Sequence, residues 1–151
     1  MAAGISVVKA LTLTQPYATL VSLGHKKIET RSWATSYRGP LAIHAAKGFP
    51  KEAREFAAEP RISPLLPRIL PLGAIVATCK LVAVRRTEEI LPIASELEQR
   101  LGNFSPCRYA WLLADVVALP EPITATGALG LWEWTPPGEQ AAVSPQMELP
   151  R

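Results

Sequence analysis

Hydrophobic and polar residues alternate along several short stretches of the chain, and this period of two is typical of strands that bury one face. In the first such stretch, 10–14, two leucines alternate with two threonines. Further strands are predicted at 27–33, 41–46, 73–86, 109–119 and 128–134. Helices are predicted between them at 14–23, 50–58 and 93–101. The four prolines within 60–71 restrict that stretch to short helical turns.

The number and order of these elements indicate the fold class. Five to six strands with two to four short helices predict an α+β fold, and we expect a small, closed or nearly closed β-barrel. A chain of 151 residues, 48% of them hydrophobic, can bury a core of its own, so a single domain over 1–151 is expected. Its core should lie at about 10–134, and 135–151 should form a flexible tail.

The first helix has recognisable start and stop signals. Thr14 is expected to cap it, with Gln15 and Pro16 in its first turn, where proline is tolerated. Gly24 can take the left-handed conformation that commonly follows a helix end. The helix therefore delivers the chain directly into the strand at 27–33.

That strand and the residue before it bring together the first candidate chemistry. The period of two places on one strand face Lys27, Glu29, Arg31 and Trp33. Glu29 and Arg31 can therefore pair with each other, or present an acceptor and a fork of donors to a base and a phosphate. Lys26 precedes the strand, where a flexible ammonium can reach a phosphate.

Positive charge is concentrated in the first third of the chain. Residues 1–51 hold seven cations and one anion, a net charge of +6, whereas the remaining 100 residues carry a net charge of −3. Such asymmetry is typical of a phosphate-binding surface. Clustering of charges on a solvated face is the alternative.

Several classes of function lack their sequence signatures. No apolar run of about 18 residues is present to span a membrane, and no signal peptide is recognisable, so we expect a cytoplasmic protein without a membrane partner. Cys79 and Cys107 have neither metal nor redox spacing and are expected to be unpaired, buried thiols. No zinc motif and no phosphate- or dinucleotide-binding glycine motif is present. We therefore expect no metal and no cofactor.

A longer pattern surrounds the candidate residues. The segment 24–31, GHKKIETR, fits G-x-K-x-x-E-x-R; it follows LTLTQPYATLV and precedes RSW and YRGPLAIHAAK. The C-terminal half adds YAWLLADVVALPEPI and GALGLWEW. Together these segments resemble the ASCH domain, a branch of the PUA-like superfamily of small RNA-binding barrels. The resemblance implies a PUA-like barrel with a cleft beside the first helix, one wall of which carries the motif.

The resemblance and the basic first third together predict a module that binds either single-stranded RNA or a nucleotide. They do not indicate an oligomeric state. The expected nucleic-acid-binding residues are Gln15, Pro16, Tyr17, Gly24, Lys26, Glu29, Arg31, Trp33, Arg38, His44 and Lys47. The four cations among them are expected to line one continuous cleft. A role in the core is the alternative for the aromatic residues and for the histidine, and a surface ion pair is the alternative for the glutamate and its neighbouring arginine.

Catalysis is the second class of function considered. Some proteins that the chain resembles hydrolyse acetylated cytidine with the motif lysine and a threonine at the third motif position, but Glu29 stands there in this chain. Other proteins that the chain resembles look like ribonucleases, and for that activity Lys26, His44 and Tyr17 are candidates. An enzyme would therefore be a metal-independent ribonuclease or nucleoside amidohydrolase, with Lys26 and Glu29 as the expected catalytic pair.

Overall fold

The computed structural model describes residues 7–137, so the predicted tail lies outside the described residues from position 138 onward. Six strands form within this range: β1 (Val8–Leu13), β2 (Ile28–Arg31), β3 (Gly39–Ala45), β4 (Ala74–Arg86), β5 (Tyr109–Thr124) and β6 (Leu131–Trp134). The α-helices are α1 (Tyr17–Ser22), α2 (Lys51–Ala57), α3 (Thr87–Ile90) and α4 (Glu96–Arg100), with 3-10 turns at Ser63–Leu65 and Leu91–Ile93. The predicted α+β class is confirmed.

All six strands join one mixed sheet in the order β2-β5-β4-β3-β1-β6. β1 and β3 run parallel, with Leu13 opposite Ala45, and the other ladders are antiparallel. Just past this register the backbone N–H of Ala46 donates to Leu13 O at 2.9 Å. The carboxyl ends of β1 and β3 therefore lie side by side at one edge of the sheet.

The sheet curls strongly without closing inside the described residues. β4 and β5 are 13 and 16 residues long, and the ladder between them has three register shifts, which bend and twist a strand pair. Three strands separate β2 from β1 in the sheet, yet Arg31 Nη1 lies 3.5 Å from Thr12 O. Among residues 7–137 no ladder joins β2 to β6, so the expected barrel is a curled sheet that remains open at one seam.

The main hydrophobic cluster packs α1 against the sheet. Ala18 and Val21, one helical turn apart on α1, are fully buried among residues of β1, β3, β4 and β5, including Leu11, Ile43 and Trp111. This packing fixes the start of α1 beside the shared carboxyl edge of β1 and β3. None of the helices among residues 7–137 is long and apolar enough to cross a membrane.

Several boundaries differ from the sequence-based expectation. α1 begins after Pro16, and the Thr14 side chain does not cap it. The predicted helix at 93–101 starts later in the structure. A separate 3-10 turn that contains Pro92 ends at Ile93, and α4 begins after Ser95, whose side chain accepts from Glu98 N. β2 is shorter than predicted and ends at Arg31, since it pairs only with Tyr109–Leu112 of β5.

Candidate functional site

A cavity of about 420 Å³ opens at the carboxyl edge of β1, between α1 and β2. Residues 12–14, Tyr17, Lys26, residues 29–31 and residues 100–103 line it. We call it the Glu29 cavity. Lys26, Glu29 and Arg31 come together here as the sequence pattern indicates, and their contacts define what the cavity can bind.

Lys26 is an internal side chain rather than the flexible ammonium expected at the cleft mouth. Only 1% of its side chain is exposed. Its Nζ donates to Ile28 O at 2.7 Å and to Leu101 O at 2.6 Å, and it lies 3.4 Å from Glu29 Oε1. Two hydrogen bonds and one ion pair therefore engage this ammonium inside the protein. The expectation failed because the chain after α4 folds over this lysine.

Glu29 lies between two cations. Its Oε1 faces Lys26, while its Oε2 accepts from Arg31 Nη1 at 3.0 Å, as their shared strand face predicts. The Arg31 side chain is 23% exposed, and its Nε and Nη2 have no hydrogen-bond partner among residues 7–137. Arg31 therefore keeps donors for a ligand, and the cluster of three side chains has a formal net charge of +1.

Tyr17 brings a neutral hydroxyl to the lining. One face of its ring stacks on Phe56, with centroids 5.3 Å apart, and Lys26 Nζ lies 5.6 Å from its centroid. Burial, followed by the carboxylates of Glu29 and Glu59, raises the pKa of Tyr17 above its ordinary value of 10.0. The phenol thus stays protonated at neutral pH and can donate a hydrogen bond, whereas its stacking capacity is partly used by Phe56.

The wall formed by residues 100–103 was missed in the sequence analysis. Leu101 O accepts from Lys26, and Thr30 Oγ1 accepts from Asn103 N at 2.9 Å. Arg100 stands at the rim with its Nη2 donating to Glu59 at 2.7 Å. The only sequence signal in this wall is Gly102, which marks the end of a predicted helix. Gly102 packs closely on Thr30, since a Cβ at this position would lie 3.2 Å from Thr30 Cγ2.

α4 is tied to the start of β2 by a buried carboxylate. Glu98 is 8% exposed, and its Oε2 accepts from the backbone N–H of Lys27 at 2.7 Å. This contact holds α4, and so the wall that follows it, at a fixed distance from the motif.

Three of the expected residues lie close in the chain to the cavity lining but are not part of it. Gln15 is fully buried; its amide donates to Thr19 Oγ1 at 2.7 Å and to Pro71 O at 2.9 Å. Pro16 follows it through a cis peptide bond and is also buried. Gly24 has φ +85°, the left-handed conformation expected after α1. Of these three, none lines the Glu29 cavity.

Trp33 and Arg38 also lie outside the cavity lining. Trp33 packs edge-to-face on Trp111 with centroids 4.8 Å apart, and the Arg31 guanidinium lies 5.6 Å from its ring centroid. Arg38 is exposed and donates to Thr35 O at 2.8 Å and to Tyr37 O at 2.7 Å within its own turn. Arg38 therefore does not extend a positive wall, because its guanidinium is directed back to the loop that carries it.

His44 and Lys47 line a second cavity of about 680 Å³, which we call the His44 cavity. Thr12 lines both cavities. The expectation of one continuous cleft along all four cations is therefore wrong: Lys26 and Arg31 belong to one cavity and Lys47 to the other. The parallel ladder of β1 and β3 separates them, which the charge count could not reveal.

Both ring nitrogens of His44 are engaged. Ala125 O lies 2.7 Å from Nε2, and because a carbonyl oxygen can only accept, Nε2 donates to it. Thr12 Oγ1 lies 3.0 Å from Nδ1 and also accepts from Trp132 Nε1 at 3.0 Å, so its own hydrogen is available to Nδ1. His44 is 2% exposed, which agrees with the alternative of a hydrogen-bonded core histidine.

Groups elsewhere that could carry chemistry are few. Among residues 7–137, no three histidine, cysteine or carboxylate side chains lie close enough to hold a metal ion. Cys79 is buried, which raises the pKa of its thiol to about 12, whereas Cys107 is exposed and not buried as expected. In this part of the chain both thiols are free.

Comparison with known proteins identifies relatives of this architecture. The family model described as ASCH domain matches residues 11–121. The crystal structure of ASCH from Zymomonas mobilis is similar with a TM-score of 0.53 and 15% identity, covering 87% of this chain and 90% of that one. A mutant form of the Zymomonas mobilis protein has a TM-score of 0.54 at 15% identity, with 89% and 94% of the chains covered. At such identity the likeness concerns the fold alone. A search of curated protein sequences found no significant match.

Proposed function

The chain belongs to the ASCH domain family, and from that premise we propose that its Glu29 cavity binds single-stranded RNA or a nucleotide. The observation that carries this proposal is the Glu29–Arg31 pair at the cavity, one oxygen-rich acceptor and one guanidinium with unused donors. Fold membership alone does not fix a function, so the argument rests on the chemistry of these side chains.

The pair matches the two kinds of group that a nucleotide presents. A carboxylate accepts hydrogen bonds from amino groups of bases, and the free N–H groups of a guanidinium donate to phosphate or to base oxygens. Glu29 is held by Lys26 on one oxygen and by Arg31 on the other, so its orientation is set before a ligand arrives. Such preorganisation lowers the entropic cost of binding.

The remaining lining suits a polar ligand of nucleotide size. Its volume of about 420 Å³ lies within the range typical of small-molecule sites. Threonine hydroxyls at positions 14 and 30 and the hydroxyl of Tyr17 add donors and acceptors around the charged cluster. Arg100 at the rim contributes a further cation, although it already pairs with Glu59.

Within this proposal Lys26 is a positioning residue. Its ammonium donates to two carbonyl oxygens and forms an ion pair with Glu29, so it orients Glu29 and Leu101 rather than contacting a phosphate. These contacts keep the side chain inside the protein, where it is only 1% exposed. A metal-independent ribonuclease or nucleoside amidohydrolase that uses Lys26 as a base would have to break them. Binding is therefore the favoured function and hydrolysis the second candidate.

Substitution of Arg31 tests the proposal. Arg31→Ala removes the only donors of the pair that are unused within residues 7–137, so we expect affinity for single-stranded RNA to fall by ten- to a hundredfold, the equivalent of about 1.5–3 kcal/mol. Fluorescence anisotropy with a panel of labelled homopolymeric and mixed-sequence RNAs measures it, at two salt concentrations. The same mixtures, run on a gel, report cleavage.

Arg38→Ala is the matched control, since Arg38 is an exposed arginine outside both cavities. It should leave affinity within about twofold of the unaltered protein. Equal losses in the two variants would contradict the site, and wild-type protein that binds none of the RNAs would contradict the function. RNA cleavage by the wild-type protein that is lost in Lys26→Arg would instead support hydrolysis as the function.

A further inference from the structure

We propose that the His44 cavity is a second nucleotide subsite, so that the ligand is a strand of at least two nucleotides laid across Thr12. This inference rests on the proposed function of the Glu29 cavity and extends it to a cavity with different chemistry. It predicts that a mononucleotide fills only part of the binding surface.

The parallel strands place the two cavities next to each other. Thr12, near the end of β1, lines both, and Lys47 of the second cavity follows β3, the parallel neighbour of β1. Ala46 N donates to Leu13 O, which fixes the two strand ends side by side. Thr12 and the ends of these two strands therefore lie between the two cavities.

The His44 cavity offers apolar surface and one cation. Leu72 and Leu129, which are 44% and 98% exposed, lie in its lining together with Ala128. Lys47 is the only lysine or arginine in the lining of this cavity. No aspartate or glutamate lines the cavity beside it. Exposed leucines that border a cavity are typical of a binding surface. A flat base can cover these leucines while the phosphate of the same nucleotide contacts Lys47.

A rigid floor keeps the two subsites in register. The Thr12 hydroxyl is fixed between Trp132 and His44, and its backbone carbonyl faces Arg31 of the other cavity. Gly127 closes over this floor so tightly that a Cβ there would lie 2.7 Å from both Thr12 Oγ1 and His44 Cε1. The loop that carries the second subsite is thereby attached to the residue shared by the two cavities.

The test compares ligand lengths and two variants. Competition anisotropy is measured with mononucleotides, dinucleotides and hexanucleotides of each base. We expect hexanucleotides to bind at least tenfold more tightly than mononucleotides. Lys47→Ala should weaken hexanucleotide binding about tenfold and reduce the slope of log affinity against log salt by about 0.7, and it should weaken mononucleotide binding less than hexanucleotide binding. Leu129→Glu, at a 98% exposed position, adds a carboxylate without disturbing packing and should act in the same direction.

Lys51→Ala is the control, because Lys51 is an exposed lysine of α2 that lies outside both cavities. Equal affinity for mononucleotides and hexanucleotides would overturn the second subsite while leaving the proposed function intact. Unchanged hexanucleotide binding in both Lys47→Ala and Leu129→Glu would also overturn it. Wild-type protein that binds no nucleotide of any length would overturn both proposals.

Discussion

At Lys26 the local sequence and the tertiary structure give different roles to one side chain. Its position between Gly24 and β2 indicates an exposed connection, yet its ammonium donates to Leu101 O, 75 residues further along the chain. Burial of a charge is tolerated only when it is paired and hydrogen-bonded, and Glu29 with two carbonyl oxygens meets that condition. The residue therefore links the motif to the wall formed by residues 100–103.

Replacing this lysine should destabilise the fold. Lys26→Met keeps the aliphatic length but leaves two buried carbonyl groups without their donor and Glu29 without one of its two cations. We expect a loss of about 3 kcal/mol in the free energy of unfolding, measured by urea denaturation monitored through tryptophan fluorescence. Lys27→Met, at an adjacent lysine with an exposed side chain, should change it by less than about 0.5 kcal/mol. Equal stability of the two variants would refute the positioning role.

The pairing of Glu29 with Arg31 could be predicted because it depends only on strand periodicity. The contacts of Lys26, Gln15 and His44 could not, because their partners at Leu101, Pro71 and Ala125 come from distant parts of the chain. Residue types therefore indicate which side chains are polar, while tertiary packing decides which of them face a cavity.

At the scale of elements, strand alternation located all six strands, and the errors lie where pairing rather than sequence sets the boundary. β5 was expected to end at Leu119, before Pro120 and Pro122, yet it continues to Thr124. β2 pairs only with Tyr109–Leu112, so one side of the later part of β5 has no strand partner within residues 7–137. Two prolines at positions two apart face the same side of a strand. On a side without a strand partner, their lack of an N–H group costs no hydrogen bond between strands.

The short helix α4 gives a prediction at this scale. Ser95 and Glu98 have the spacing of a capping box, but only half of it forms: Ser95 Oγ accepts from Glu98 N at 3.1 Å, while the Glu98 carboxylate reaches Lys27 N instead. Ser95→Ala should cost about 1 kcal/mol, a drop of about 4 °C in melting temperature measured by calorimetry. Ser63→Ala, at an exposed serine that caps no helix, should leave the melting temperature within about 1 °C. A drop of the same size in both variants would argue against the cap.

At the scale of the whole molecule, the charge asymmetry of the sequence is real but is not one surface. Lys9 pairs with Glu133 at 3.4 Å, and Lys51 pairs with Glu55 at 3.9 Å, so part of the +6 charge of residues 1–51 is balanced locally. The curl of the sheet, which brings Arg31 to Thr12, then divides the remaining polar groups between two cavities. A count of charges along the chain carries no information about such a division, since it depends on long-range strand pairing.

The two cysteines make the cooperativity of the whole fold measurable. Cys79 lies in β4 opposite Leu41, inside the main hydrophobic cluster, and burial raises the pKa of its thiol to about 12 from 9.0. Because the folded-state pKa is raised, the protonated thiol favours the folded state below about pH 9, and that contribution is lost as the pH rises towards 12. Cys107 is exposed on the turn before β5.

With a thiol reagent at pH 8 we therefore expect one thiol to react at once and the second only through unfolding. The slow phase should accelerate with urea in proportion to the unfolded population, because a thiolate in the centre of the sheet becomes accessible only when β3 and β4 separate. Cys107→Ser should abolish the fast phase and leave the slow phase unchanged, which assigns each phase to one residue. Two fast phases in native buffer would show that the β3–β4 ladder opens locally, and that the sheet does not unfold as one unit.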